Sequence, residues 1–326
     1  MKKYLLISIF VIISVSFCRA IDPQFTQFYS APLYLSPSFA GATQQNRISA
    51  NFREQWPSIP NGFVTYTLAY DHYFSNYNSG LGFMLLNDQA GTGKLGNTYF
   101  DLLYSYDFIL LNTWHIRPGI SFLYKTFNLD FLRLHFFDQI SSSDPNKPTS
   151  EPAPTPAIRG HIDGAASVLV YNNDLWSGFT IDHLLKPNES FFGDNTPTPV
   201  KISFFGGIKL ISKGHLLKPL DESISIAYLF SLQGGYKQLN LGLYWLKSPL
   251  VLGIWYRGIP SLNNQWGDAV SFLLGFKTSQ LSLAYSYDFT VSNLINSTGG
   301  AHEISLIIEF KTQFKKKYHA IPCPEF

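Results

Sequence analysis

The stretch NTYFDLLYSYDF, residues 97–108, alternates between apolar or aromatic side chains and mostly polar ones. Phe100 and Leu102 belong to the first set, whereas Asp101 and Ser105 belong to the second. Because successive side chains of a β-strand point to opposite faces of the sheet, this period of two predicts a strand with one apolar and one polar face. A strand of about ten residues is also long enough to cross a lipid bilayer when it is tilted.

The same alternation recurs along almost the whole of residues 46–310 and divides them into about 14 predicted strands. These strands cover residues 46–55, 61–73, 79–88, 97–109, 113–129, 160–171, 173–182, 199–212, 221–232, 236–246, 250–258, 268–277, 279–289 and 301–310. An even number of strands of this length is typical of single-chain bacterial outer-membrane barrels. The sequence therefore predicts an all-β fold, a transmembrane antiparallel up-and-down β-barrel, with its apolar face toward lipid and its polar face toward the lumen.

The composition is that of a protein with unusually little charge. Aromatic residues make up 16% of the chain, charged residues only 14%, and the formal net charge is +2; this charge content is low for a soluble protein, and it does not indicate nucleic-acid binding. Beyond residue 20 we find no apolar run of the roughly 18 residues that a transmembrane helix needs. Only Cys323 follows that point, which excludes an intramolecular disulfide and a cysteine-based metal site.

The lengths of the predicted connections support the membrane interpretation. If residues 21–45 lie in the periplasm, the connections after even-numbered strands lie there too, and they are short or modest. The connections at the other end are mostly longer, and residues 130–159 form the longest. Outer-membrane barrels alternate tight periplasmic turns with long outer loops in this way. A large soluble sandwich or barrel with an apolar interior is the alternative, and the strand and loop lengths favour the membrane barrel.

The chain divides into four predicted parts. Residues 1–20 have a basic start, an apolar run and a small last residue, which indicates a secretory signal peptide. Residues 21–45 form a predicted periplasmic N-terminal segment, residues 46–310 form the barrel, and residues 311–326 form a periplasmic C-terminal tail. The prolines and aromatic residues of 22–41 suggest PPII-like bends and a plug or clasp that packs on the barrel mouth.

Motifs for catalysis or for cofactor binding are weak. The run GTGKLG, residues 91–96, has the letters of a dinucleotide fingerprint, but that motif needs a following helix, and a strand is predicted there. A hairpin loop is therefore the better interpretation. The eight histidines show no metal-ligand spacing, and no nucleophile motif is present. We expect no enzyme and assign no catalytic, cofactor-binding or metal-binding residue.

Several charged residues fall on the polar faces of the predicted strands and so point inward. Two roles fit them: they tune the selectivity of an open pore, or they pair with one another across a filled lumen. The sequence leaves both roles open. The residues are Arg47, Arg53, Asp101, Asp107, Lys125, Asp288, Glu303 and Glu309.

Both ends of the chain contain motifs of a known family. The N-terminal motifs are DPQFTQF at residues 22–28, PLY at 32–34 and PSFAG at 37–41, and the C-terminal motif is PCPEF at 322–326. With these motifs the chain resembles the PorP/SprF-like membrane proteins of the type IX secretion system of Gram-negative bacteria. Ser36 stands where that family usually has Asn.

The resemblance implies a non-enzymatic protein of the outer membrane that the barrel-assembly machinery inserts, and the last strand, ending at Phe310, resembles an assembly signal. It also implies contact with outer-membrane lipid, with periplasmic type IX components and with a secreted adhesin-like protein in secretion or gliding motility. A porin-like solute channel is the alternative function. The expected partner-binding residues lie in the terminal motifs: Asp22, Pro23, Gln24, Phe25, Phe28, Pro37, Phe39, Gly41, Pro322, Cys323, Pro324 and Phe326.

Overall fold

The computed structural model describes residues 22–110, 113–141, 148–156, 158–215, 218–258, 268–292 and 295–310. The predicted signal peptide, 1–20, and the predicted tail, 311–326, lie outside these residues. Strands predominate, as the period-two alternation predicts. They are β1 Asn46–Gln55, β2 Phe63–Phe74, β3 Ser79–Ala90, β4 Leu95–Tyr106, β5 Phe108–Leu110, β6 Trp114–Asn128, β7 Ile158–Tyr171, β8 Leu175–Asp182, β9 Lys201–His215, β10 Lys218–Gln233, β11 Tyr236–Lys247, β12 Leu250–Arg257, β13 Ala269–Lys277, β14 Leu281–Thr290 and β15 Ala301–Phe310.

The strands form one closed antiparallel sheet. Neighbours along the chain pair with each other, and β1 pairs with both β2 and β15. The short strand β5 continues β4 beyond Asp107, and both pair with β6, which closes the ring. The wall therefore has 14 strands, and the predicted barrel is confirmed. Closure matters in lipid because it leaves no strand edge with unpaired backbone groups.

The polarity of the barrel is inverted relative to a soluble protein. Leu102, Ile120 and Leu274 face outward and expose 58, 60 and 57% of their surface. Residues of the other parity, such as Ser105 and Glu303, are fully buried inside the barrel. The outward apolar faces form the surface that contacts lipid. Among the described residues no helix has the length and apolar character needed to cross a membrane.

The connections alternate between short and long, as predicted. Asn46 at the start of β1 pairs with Phe310 at the end of β15, and connections at this end are brief, such as residues 172–174 and 248–249. The opposite end carries the long connections between β6 and β7 and between β8 and β9, although residues 234–235 alone join β10 to β11. These ends are called the short-turn end and the long-loop end below.

The lumen is occupied by the chain's own residues 22–42, which we call the plug. Three tight helical turns shape it, namely Phe28–Ser30, Pro32–Leu35 and Pro37–Phe39. Proline suits the first position of such turns because its φ is already fixed and its missing N–H needs no partner there. Most plug side chains are buried. The core of this protein therefore lies inside the barrel, between the plug and the wall.

Candidate functional site

The plug runs through the lumen from one end of the barrel to the other. At the short-turn end the amide nitrogen of Gly41 donates a hydrogen bond of 2.8 Å to Asp71, near the end of β2. At the long-loop end the amide nitrogen of Asp22 donates a bond of 3.1 Å to Gln233, the last residue of β10. The chain thus crosses the whole depth of the wall before it enters β1.

Two buried arginines hold the short-turn end of the plug by its main chain. Arg117 donates to the carbonyl oxygen of Ala40 at 2.6 Å, and Arg47 donates to that of Phe39 at 3.1 Å. Arg47 also pairs with Asp71 at 2.8 Å. A guanidinium carries five donors in a fixed plane, so one arginine binds a carboxylate and a carbonyl at the same time. The wall recognises this part of the plug through backbone atoms.

Two wall glycines allow the plug to approach the wall closely. A Cβ atom added at Gly80 would overlap the carbonyl oxygen of Ala40, and one added at Gly119 would overlap the amide nitrogen of Ser38. Ser38 also shares a hydrogen bond with Ser167, with 2.6 Å between the two hydroxyl oxygens. Because only glycine leaves room for another backbone at these places, the two positions fix the path of the plug.

Aromatic rings fill the middle of the lumen. The ring pairs between plug and wall include Phe28–Trp255, Tyr29–Tyr244, Phe39–Trp176 and Phe39–Phe205, with centroids 5.1, 4.8, 6.0 and 5.7 Å apart. Such pairs contribute roughly 0.5–1.5 kcal/mol each beyond the area that they bury. These rings connect the plug with strands β8, β9, β11 and β12 through apolar contacts.

Nearer the long-loop end a balanced charge cluster surrounds the plug residue Thr26. Arg53 pairs with Asp288 at 2.7 Å and with Glu303 at 3.0 Å, and Arg257 lies 3.4 Å from Asp288. The Thr26 hydroxyl accepts hydrogen bonds from both arginines and donates to Asp288, while its amide nitrogen donates to Glu303 at 2.8 Å. Two positive and two negative groups therefore share one plug residue, and their buried charges compensate each other.

A second polar contact holds the first described residue of the plug at the long-loop end. His183, just beyond β8, contacts Asp22 through Nε2 at 2.9 Å and Asp163 through Nδ1 at 2.6 Å, and Lys201 lies 3.3 Å from Asp22. Burial alone would lower the pKa of the His183 imidazole, but these carboxylates outweigh burial and raise it from 6.5 to about 10. The imidazole is therefore a cation at neutral pH, and we call these four residues the latch.

The structure brings eight of the expected partner-binding residues together inside the lumen. Only Asp22, Pro23 and Gln24 are half-buried, and the other five are buried. The expected plug at the barrel mouth is therefore corrected to a plug within the barrel, and its PPII-like bends are corrected to helical turns. Buried wall charges cause this placement, because they bind the plug's backbone amides and carbonyls. Pro322, Cys323, Pro324 and Phe326 lie outside the described residues.

Some of the wall residues that hold the plug are predicted from the sequence pattern, and others are not. Arg47, Arg53 and Glu303 were among the predicted inward charges, and each contacts the plug. Arg117 and Arg257 were missed, although both lie at inward-facing positions of their strands. A search for charged residues at the polar parity of every strand would have found them.

The structure also bears on two further predictions, the role of the inward charges and the conformation of residues 91–96. Six of the eight predicted inward charges pair within a filled lumen: Lys125, for example, lies 2.5 Å from Glu189, and Asp107 lies 3.0 Å from His115. Asp101 and Glu309 make no ion pair within the described residues. Residues 91–94 form a turn, and strand β4 follows at once. The hairpin interpretation of GTGKLG is therefore confirmed.

Several solved structures resemble this chain at low sequence identity. The Acinetobacter baumannii outer membrane protein Omp33 shares 6% identity and a TM-score of 0.46 over 82% of this chain and 98% of its own. The P. putida toluene transporter TodX shares 8% identity with a TM-score of 0.47, and the match covers 85% of this chain and 93% of TodX. The CymD monoaromatic hydrocarbon channel shares 9% identity with a TM-score of 0.48, and the match covers 87% of this chain and 94% of CymD. No curated protein matches.

The decisive finding is a match to a protein family rather than to any one structure. Residues 18–308 match the family described as type IX secretion system membrane protein PorP/SprF. This range includes the whole plug and nearly all of the barrel wall. The match and the closed 14-strand barrel together place the protein in the outer membrane. The chain belongs to the PorP/SprF family of type IX secretion system membrane proteins.

Proposed function

We propose that this protein is a non-enzymatic component of the type IX secretion and gliding apparatus, which anchors a secreted adhesin-like partner or assists its export. The occupied lumen is the observation that carries this proposal. Between Gly41 and Asp22 the plug contacts the wall along its whole depth, where a porin keeps a water-filled channel. A barrel filled by its own chain is suited to hold another protein at the membrane rather than to pass solutes.

The proposed orientation places the short-turn end in the periplasm and the long-loop end at the cell surface, as in other outer-membrane barrels. A partner at the surface then reaches Asp22, Pro23 and Gln24, the half-buried residues of the plug. The buried plug residues act indirectly, because they keep this end of the plug in place. Periplasmic components of the apparatus meet the short-turn end.

Cross-linking in intact outer membranes tests the partner role. After affinity purification of the tagged barrel, we expect a secreted protein of the same cells to be recovered in cross-linked form. An unrelated tagged barrel from the same membranes is the control and should not recover it. Recovery of folded, heat-modifiable barrel without any secreted protein would contradict the proposal.

Conductance in planar bilayers separates this proposal from a porin-like channel. The purified full chain should show no stable open pore, because aromatic rings and the charge cluster around Thr26 occupy the lumen. Residues 22–42 must leave the lumen before ions can follow that route. A stable open conductance of the full chain without any partner would favour the solute channel.

A further inference from the structure

Two cavities lie beside the plug at the long-loop end of the barrel. The outer one has a volume of about 380 Å³ and the inner one about 50 Å³. The outer volume is within the range of small-molecule sites, roughly 300–1,000 Å³. The two are continuous, because they share the lining residues Asp22, Pro23, Gln24, Tyr236 and Gln238. We call the outer cavity the vestibule and the inner one the pocket.

The inward face of the hairpin β10–β11 forms one wall of the pocket. It consists of three opposed residue pairs, namely Gln233–Tyr236, Ser231–Gln238 and Leu229–Asn240. Opposed residues of an antiparallel pair have their Cβ atoms roughly 5 Å apart, so this wall is one continuous surface. It runs inward from Tyr236, the first residue of β11, to Asn240, and Phe28 of the plug lines the same pocket.

Three amide atoms of this wall have no hydrogen-bond partner within the described structure. They are Nε2 of Gln233, Nε2 of Gln238 and Oδ1 of Asn240, and all three side chains are more than nine-tenths buried. The other amide atom of Gln233, Oε1, already accepts a hydrogen bond from Asp22. Buried polar groups without partners cost free energy. Two donors and one acceptor therefore indicate a ligand that accepts two hydrogen bonds and donates one.

An acetamido group matches this set of atoms. Its carbonyl oxygen has two lone pairs for the Nε2 donors of Gln233 and Gln238, and its N–H is a donor for Asn240. Its methyl group suits Phe28 and Leu229, the apolar part of the pocket lining. Water also satisfies buried amides, but water gains nothing from an apolar surface. The pocket therefore fits an acetamido group better than it fits water.

The vestibule supplies an aromatic surface next to the pocket. Trp56 lines it, and the Trp56 backbone has a φ of 63°, which is uncommon for a bulky residue. The amide nitrogen of Trp56 donates to the carbonyl oxygen of Gly300 at 2.8 Å, and its ring packs edge-on against Phe63 with centroids 5.3 Å apart. These contacts fix the ring before a ligand arrives. Such a surface suits the apolar C–H face of a sugar ring.

The polar groups of the vestibule favour a neutral ligand with hydroxyl groups. Its basic residues Arg53 and Arg257 both pair with Asp288, so they are already engaged and do not favour an anionic sugar. Asp88 and Gln24 add a carboxyl and an amide to the lining. A hydroxyl group both donates and accepts hydrogen bonds, so the hydroxyls of a sugar can bond to groups of both kinds.

We propose that the vestibule and the pocket together bind a neutral sugar that carries an acetamido group, either free or as the end residue of a glycan. The pocket holds the acetamido group, and the vestibule holds the sugar ring against Trp56. In the orientation proposed above, the site opens at the cell surface. The ligand chemistry is independent of the role in secretion, because it follows from the unpartnered amides and the aromatic lining.

Titration calorimetry of the purified full chain, in a detergent without a sugar headgroup, tests the ligand chemistry. The probes are N-acetylglucosamine and N-acetylgalactosamine, with glucose and galactose as their matched controls. At least one acetamido sugar should bind saturably and at least tenfold more tightly than its parent hexose. Saturable binding of neither acetamido sugar, or equal binding of sugar and parent, would overturn the proposal.

Two further probes define the ligand. N-acetylalaninamide has the acetamido group without a sugar ring and should bind at least tenfold more weakly; equal binding would indicate a peptide and overturn the proposal. The methyl β-glycoside of the bound sugar distinguishes the two sources. Affinity equal to that of the free sugar supports the end residue of a glycan as the ligand, whereas loss of affinity supports the free sugar.

Gln238→Met tests the pocket, because methionine has a similar size and no amide. It should bind the acetamido sugar at least tenfold more weakly than wild type. Its thermal midpoint without sugar should not fall, since the variant removes an unpartnered donor. Gln89→Met is the matched control and should bind normally, because Gln89 is exposed near the same end and lines neither cavity.

Unchanged sugar affinity in folded Gln238→Met would overturn the site, and a lowered thermal midpoint with unchanged affinity would give the amide a structural role instead. If Gln238→Met does not fold, Asn240→Leu replaces it with the same expected loss of affinity, and unchanged affinity there would overturn the site. The probe series on the wild-type chain decides the ligand chemistry without either variant. Its result does not depend on whether a secreted partner is recovered by cross-linking.

Discussion

At the scale of single residues, the buried charges of the lumen depend on complete pairing. Arg53 faces Asp288 and Glu303, and its side chain and both carboxylates are almost fully buried. Removing one member of such a cluster is costly because it leaves buried charge uncompensated. Thr26 alone cannot replace the arginine, since a hydroxyl carries no charge.

The first prediction therefore concerns Arg53→Met. It should lower the free energy of unfolding by roughly 3–5 kcal/mol, measured by urea denaturation of the vesicle-inserted barrel with tryptophan fluorescence. Arg133→Met is the matched control, because Arg133 forms an exposed pair with Asp130, and such pairs contribute about 0–1 kcal/mol. Equal losses in the two variants would show that the cluster around Thr26 is not a compensated charge network.

A second prediction at this scale concerns the close approach of plug and wall. Gly119→Ala places a methyl group against the amide nitrogen of Ser38, and such overpacking costs roughly 1–3 kcal/mol. The thermal midpoint of the heat-modifiable band should fall. Gly235→Ala is the control, because nothing lies within 4 Å of a Cβ added there. A midpoint that is unchanged in Gly119→Ala would contradict the described path of the plug.

At the scale of elements, the latch at the long-loop end predicts a dependence on pH. His183 has a folded-state pKa of about 10, raised from 6.5, so its charge stabilises the folded state fully below about pH 6.5. This stabilisation is lost as the pH rises through about 10. The difference in urea midpoint between wild type and His183→Gln should therefore be large at pH 6 and small at pH 10.5. A difference that does not change with pH would contradict a charged latch.

The strands can be predicted from the sequence alone, whereas the helical turns of the plug cannot. Strand β1 was predicted at residues 46–55 and β15 at 301–310, and both agree with the structure. Period-two alternation is a local signal, so one strand can be recognised without knowledge of its neighbours. The helical turns of the plug were not predicted, because segments of three or four residues show no helical periodicity.

The position of the plug could not be derived from local signals. Thr26 bonds to Asp288 across 262 positions of the sequence, and no spacing rule connects residues so far apart. The prolines and aromatic residues of 22–41 correctly indicated a plug or clasp, but aromatic rings suit a barrel mouth as well as a lumen. Inward charges such as Arg117 and Arg257 decide the position of the plug. These side chains come together around the plug only in the closed barrel.

At the scale of the whole molecule, the wall and the plug differ in what holds them together. The wall closes through backbone pairing between neighbouring strands, including β1 with β15 and β4 with β6. It also keeps ion pairs of its own, such as Arg47 with Asp71. The plug contributes the rings that pack on Trp176 and Trp255, together with the backbone groups that the buried arginines bind. The barrel should therefore form without the plug, at reduced stability.

Deletion of residues 22–41 tests this division. The deleted chain should still migrate as a heat-modifiable barrel, because the strand pairing of the wall is intact. Its thermal midpoint should be lower, since each lost ring pair removes roughly 0.5–1.5 kcal/mol. In planar bilayers it should conduct, whereas the full chain should stay closed, because water fills a polar lumen that Thr26 and Phe39 no longer occupy. A deleted chain that forms no barrel would show that the plug directs folding, and a folded but non-conducting one would show that other residues close the lumen.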